Sequence, residues 1–277
     1  MRVDPRTTQR IAKGLVWAAA LLTLAILLFI IVYILWQGLP MVSVGFLTRN
    51  PTRMGRSGGI FPTIVGTIAL AAVAVLIATP LGLGTAIYLT EYTRESAITR
   101  AIRFGTECLA GVPSIIFGLF GFVFFVIYLR LGWSILSGGL TLACMILPTI
   151  VRASEEAMRA VPRPYREVSF ALGATRWQMV TTAVLPSAVP GIVTGIVLGI
   201  GRSVGETAAV ILTAGSSLRL PTSLFSPVRT MAVHFYILAR EGISMEMAYG
   251  TGAMLIVTIL LLNVVVNWLI GRLIARR

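Results

Sequence analysis

The sequence predicts an all-α integral membrane protein with six transmembrane helices. One observation behind this is composition: of 277 residues, 57% are hydrophobic and only 12% charged, more apolar surface than a soluble domain of this size can bury. The second is spacing. Apolar windows recur at 15–36, 62–90, 107–129, 135–152, 188–214 and 252–271, and a bilayer crossing needs about 20 residues. The third is the basic residues, which gather in alternate connections between these windows.

The first window follows "MRVDPRTTQRIAKG" and runs uncharged from Leu15 to Trp36. No small-residue cleavage site follows, so it reads as a retained helix rather than a signal peptide. The fourth, "LSGGLTLACMILPTIV", is short and carries Pro148, tolerable where neighbours satisfy the freed carbonyl. Beyond it, Glu155 and Arg159 stand four apart with the acid first, which prolongs that helix until Pro162 and Pro164 stop it. Val168, Phe170, Ala171 and Leu172 then start a short amphipathic helix that Gly173 ends. On periodicity alone this helix reads equally as one resting on lipid. The fifth window reads as one continuous helix, and Gly191, Gly195 and Gly199 mark its packing face.

With the N-terminus inside, Arg2, Arg6, Arg10, Lys13, Arg94, Arg100, Arg103, Arg152, Arg159, Arg163, Arg166, Arg176, Arg272, Arg276 and Arg277 fall on the cytoplasmic side. Arg49, Arg53, Arg56, Arg130, Arg219, Arg229 and Arg240 fall outside. Both termini and the 153–187 loop are therefore expected in the cytoplasm. The net charge of +13 is dispersed through short loops without interleaved aromatics, which argues against nucleic acid. Cys108 and Cys144 sit in or beside apolar runs and read as small core residues. His234 is the sole histidine. That excludes a histidine metal cluster, and the residue is expected as an ordinary polar group in an outside loop. Lys13, the only lysine, lacks the glycine-rich turn of a phosphate-cradling loop, so the chain is not an ATPase of that type. No catalytic or metal-ligating residue is expected.

The loop at 153–187 is long and organised. Its "REVSFALGATRWQMVTTAVLP" resembles the cytoplasmic motif of ABC importer permeases: Glu-Ala-Ala, three residues, Gly, nine residues, Ile, one residue, Leu-Pro. Glu167, Gly173, Leu185 and Pro186 occupy motif positions, Val168 and Ser169 replace the alanines, and Ala183 replaces the isoleucine. Together with "GGIFPTIVGTIAL", "PLGLGTAIYLTEYT", "LAGVPSIIFGLFGFVFF", "EEAMRAVPRPYREVSFALGATRW" and "GRSVGETAAV", it is similar to the phosphate-uptake permeases of the Pst system, PstA-type more than PstC-type.

The resemblance implies a type I ABC importer permease (MetI-like) bundle. It divides the chain into 1–57, with the first helix and an outside loop, and a five-helix core at 58–277. It implies that the 164–176 helix couples to an ATPase through Glu167, Gly173, Ala174, Arg176, Leu185 and Pro186. It also implies a PstC-type second permease, a PstB-type ATPase dimer that carries ATP and Mg2+, a PstS-type external binding protein, phosphate as substrate, and the bacterial or archaeal inner membrane. This chain itself would bind no cofactor. A different anion or small solute fits the loop equally well, and an ion-coupled anion transporter or channel is the alternative that needs no ATPase.

Two charges stand inside the fifth window. Arg202 and Glu206 are four apart and on a continuous helix would share one face. Each costs about 2.5 to 3.5 kcal/mol near the bilayer centre on insertion scales. A structural ion pair is one explanation, although buried pairs add little stability. The other is an anion site: a guanidinium fork matches an oxyanion, and Glu206 would neutralise it when empty and accept the proton of monohydrogen phosphate, which sulfate lacks. Arg152, at the inner end of the fourth window, is a second candidate pathway residue, with snorkelling or pairing to Glu156 as its ordinary explanation.

Overall fold

The computed structural model describes residues 5–275. Arg2, Arg276 and Arg277, assigned above to the inner side, lie outside the described residues. Five described helices are long and apolar enough to cross a membrane, and a bent pair supplies a sixth crossing if taken as one span.

The bundle is built on α3 (Phe61–Ile87), α6 (Ile135–Arg159) and α9 (Leu185–Gly205), which pack against one another. Helix α6 is the central strut, with Leu142, Met145, Ile146 and Ile150 fully buried. It starts where the Ser134 hydroxyl accepts the Ser137 N–H at 3.1 Å, satisfying one of the orphan donors of a helix start. Lipid tails are as apolar as leucine, so close packing rather than apolar burial must hold such helices together. The glycine face of α9 supplies it: a Cβ at Gly191 would lie 2.6 Å from that of Ala157, and Gly195 faces Ala153 in the same way.

Around this core, α1 (Pro5–Gly38) runs antiparallel to α12 (Met245–Ala275) and is otherwise exposed over its length. At the end where α3 begins, α2 (Val44–Thr48), a hairpin of β1 (Pro51–Thr52) and β2 (Ser57–Gly58), and α11 (Met231–Arg240) form a cap. Phe46, Ile60, Met231, Leu238 and Met247 knit it to the bundle. The opposite end carries α7 (Arg163–Ala171), α8 (Arg176–Met179) and the start of α1.

Two windows differ from the sequence expectation. The one at 107–129 begins inside α4 (Ala97–Ala110), then turns by 101° into α5 (Ser114–Gly121), which continues as a wider π turn to Tyr128. Pro113 bars the preceding residue from helical geometry. The charges Arg100, Arg103 and Glu107 keep α4 out of the hydrocarbon. The window at 188–214 is broken as well: α9 ends at Gly205, Glu206 is extended (φ −72°, ψ 135°), and α10 (Ala208–Thr213) follows. His234 is not in a loop; it lies on α11 and is fully buried.

Candidate transport site and coupling segment

Because α9 stops before Glu206, Arg202 and Glu206 do not share a helix face. Glu206 is turned toward α10, where its Oε1 accepts the Thr207 and Ala209 N–H groups at 3.1 and 3.2 Å. A carboxylate there satisfies orphan amides and meets the positive end of a helix dipole, which explains why it leaves Arg202. The ion pair that the spacing suggested is therefore absent among the described residues. Arg202 is half-buried and has no hydrogen-bond or ion-pair partner among them. The neighbouring Ser203 hydroxyl is buried without a partner as well. What the broken helix offers is one uncompensated guanidinium within an apolar span.

Arg152 sits elsewhere. Gly195 faces Ala153, so Arg202 lies on the order of 10 Å further along the helix axes. Arg152 Nη2 is 3.2 Å from Glu107 Oε1 and Arg152 Nε 3.8 Å from Glu156 Oε1. Beside it, the largely buried Glu155 holds Arg103 at 2.8 Å and Arg159 at 2.6 Å. Arg103, Glu107, Arg152, Glu155, Glu156 and Arg159 line a cavity of about 130 Å³. Positive and negative groups balance there, so Arg152 is already answered by carboxylates where Arg202 is not. The Glu155–Arg159 contact and the Glu156 pairing are legible in the sequence; Arg103 and Glu107 are not, because only the bend between α4 and α5 brings them to α6.

The coupling segment starts where the sequence places it, but the expected 164–176 helix is interrupted, with α7 ending at Ala171 and α8 starting at Arg176. Helix α7 starts after Pro162 and ends in a paired cap, where Ala174 N–H donates to Ser169 O and Gly173 N–H to Phe170 O, both at 3.0 Å. Gly173 sits at φ +79°, the left-handed position that favours glycine at a helix end. Thr175 and Gln178 then form a capping box that starts α8. No residue of α7 is buried; Tyr165, Val168 and Leu172 are exposed, and Glu167 is exposed on the same helix. Ala174 is half-buried, and the Arg176 guanidinium lies 5.8 Å from the Tyr92 ring centre. Leu185 packs against the buried group of Met158, Val161 and Val184, and Pro186 stands in the first turn of α9. These last two fix the segment to the bundle.

A contact that the sequence reading passed over joins this segment to the core. Arg166, counted above only as a basic loop residue, is 2.7 Å from Glu91 at the end of α3. An acidic residue closing a span, facing a loop rich in arginine, was the available signal.

At the opposite end, Gly55 of the hairpin comes so close that a Cβ there would lie 2.5 Å from His234 Cε1. Arg229 Nη1 is 3.4 Å from His234 Nδ1. Burial first, and the Arg229 charge second, hold the His234 pKa down at about 4. Burial also lowers that of Arg229, partly offset by Glu241.

Residues 78–277 match the family of binding-protein-dependent transport system inner membrane components. The Bacillus subtilis protein named "Probable ABC transporter permease protein YqgI" is 34% identical, with 96% of each chain covered. The Haemophilus influenzae "Phosphate transport system permease protein PstA" is 29% identical, covering 94% of this chain and 92% of its own. Among solved structures, a chain of the bacterial alginate ABC transporter in complex with an alginate pentasaccharide-bound periplasmic protein superposes with a TM-score of 0.69. It covers 96% of this chain and 97% of that one at 15% identity, a likeness of fold.

Proposed function

The chain belongs to the family of binding-protein-dependent transport system inner membrane components, and we propose that within it the protein is the PstA-type permease subunit of an ATP-driven phosphate importer. As a type I ABC importer permease it is a multi-pass protein of the cytoplasmic membrane and not itself an ATPase. The ion-coupled alternative does not fit that family. In this reading a second permease completes the pathway, two ATPase subunits bind ATP and Mg2+ beneath it, and an external binding protein delivers phosphate.

The observation that carries the reading is α7, a capped helix with no buried residue, set at the end where the loops are basic. Tyr165, Val168 and Leu172 leave an apolar surface that stays exposed among the described residues, the form expected of a helix that docks in a groove. Positive charge near the spans supports a cytoplasmic location for this end, where an ATPase can reach it. ATP-driven closure of the ATPases would then move α7 and rock the bundle between inward and outward access.

Phosphate as the substrate is supported by the PstA relative and by the chemistry of Arg202. Its guanidinium offers donors in a planar fork to a tetrahedral oxyanion and has no competing carboxylate. Glu206 is held through Oε1, which leaves Oε2 to accept the proton of monohydrogen phosphate. Uptake by Glu206→Gln with an unchanged preference for phosphate over sulfate would remove that role. The reading as a whole is tested by co-purification with an ATPase whose hydrolysis rises when a phosphate-loaded binding protein is added. An assembly stimulated only by another loaded solute would keep the ABC permease and replace the substrate.

A further inference from the structure

Glu91 and Arg166 have no part in the pathway or in the docking surface, yet they make the most extensive side-chain contact of the coupling segment. Helix α3 continues past Ile87 as a π turn, Tyr88–Tyr92, a widened form often found at functional sites. Arg166 Nη2 lies 2.7 Å from Glu91 Oε1, and its Nε lies 3.2 and 3.1 Å from Oε1 and Oε2. The same guanidinium donates to Val161 O at 2.8 Å and to Met158 O at 2.9 Å. One side chain of α7 is thus bonded to the end of α3 and to the last carbonyls around the end of α6. The next residue of the turn, Tyr92, lies under Arg176 of α8, so consecutive residues hold both ends of the 164–176 segment.

Burial and a forked geometry set this contact apart from the Arg152 pair, and among the described residues it is the pair that ties α7 to the bundle. The Glu91 side chain is 5% exposed and that of Arg166 20%, whereas Arg152 and Glu107 are each 57% exposed. Exposed pairs shift freely and contribute little. A forked pair in a buried site fixes distance and angle together, and removing one partner strands a charge. Helix α7 buries no residue of its own; besides its contact with the 180–184 turn, the Arg166 side chain is what bonds it to α3 and α6.

We propose that Glu91 is a positioning residue of transport, and that the Glu91–Arg166 pair is the joint through which displacement of α7 reaches α3 and α6. The proposal rests on the reading of α7 as the helix that docks on the ATPase. Its consequence is separable from stability: loss of the joint should uncouple ATP hydrolysis from transport rather than lower the amount of complex alone.

The test uses the full assembly in liposomes, with ATP on the ATPase side and labelled phosphate with its binding protein on the other. The quantity read is phosphate moved per ATP hydrolysed by assembled complex. Glu91→Gln should keep the ATPase bound and hydrolysing while this ratio falls roughly tenfold, within the scale of couplings carried by packed networks. Arg166→Lys, which keeps the charge and loses the fork, should fall less, and Glu91→Gln combined with Arg166→Gln should be no worse than Glu91→Gln alone. A wild-type ratio in Glu91→Gln, or losses that multiply in the double variant, overturns the joint. If Glu91→Gln fails to assemble, a wild-type ratio in Arg166→Lys overturns it equally. A wild-type assembly that moves no phosphate with ATP fails the functional reading itself, and this inference with it; a coupled wild type beside an equally coupled Glu91→Gln removes the joint alone.

Discussion

Arg202 is a full charge on a membrane-spanning helix, and no carboxylate of the described residues answers it. A cation retained at about 2.5 to 3.5 kcal/mol on insertion scales calls for a ligand. Arg202→Ala should lower phosphate uptake by about two orders of magnitude, and Arg202→Lys, a point charge without a fork, should retain a measurable part. Full uptake by Arg202→Ala in cells lacking the native chain would remove Arg202 from the pathway. His234 carries a separate expectation. Its folded pKa of about 4 lies below an unfolded value near 6.5, so between these the unfolded chain binds the extra proton. Stability is therefore fully present above about pH 6.5 and is lost as pH falls toward about 4. Thermal unfolding in detergent followed from about pH 7 to about pH 5 should show a falling midpoint, and His234→Gln should flatten the slope. Equal slopes would place the sensitivity elsewhere. The sequence located both charges of the fifth span but paired them wrongly. Spacing of four implies contact only on an unbroken helix, and "VGET" contains no proline to announce that Glu206 will cap α10 instead.

Among the elements, α7 was the most legible, because its limits are set by local chemistry: Pro162 before it, Pro164 in its first turn and a left-handed glycine after it. Leu172 is 83% exposed, so Leu172→Glu should leave the chain folded while the ATPase no longer co-purifies. Retention of the ATPase by that variant would move the docking surface off α7. The α6–α9 contact was legible for a similar reason, since glycines four apart define one face. Gly191→Leu should drive a side chain into Ala157 and lower the unfolding midpoint, whereas the same change at Gly14, where nothing lies within 4 Å, should not. The third window misled because apolar content continues through "GVPS". The bend there is fixed by Pro113 and by charges on α4 whose partners lie on α6, a long-range fact that a window average cannot contain.

For the whole molecule, the antiparallel packing of α1 against α12 brings the first and last described helices to the end that carries α7. The basic loops of that end predict a cytoplasmic location, which a reporter fused near Arg166 would report directly. An external reporter would invert the account, because an ATPase could not then meet α7. The central claim joins three elements: docking at α7, transmission into α3 and α6, and an anion held at Arg202. The most direct measurement is ATP-dependent accumulation of labelled phosphate by liposomes containing the assembled complex and a loaded binding protein, compared between wild type and Arg202→Ala. The account predicts accumulation by wild type and its loss in Arg202→Ala while ATP hydrolysis continues. Accumulation that is unchanged in Arg202→Ala, or absent in a wild-type complex that hydrolyses ATP, would contradict it.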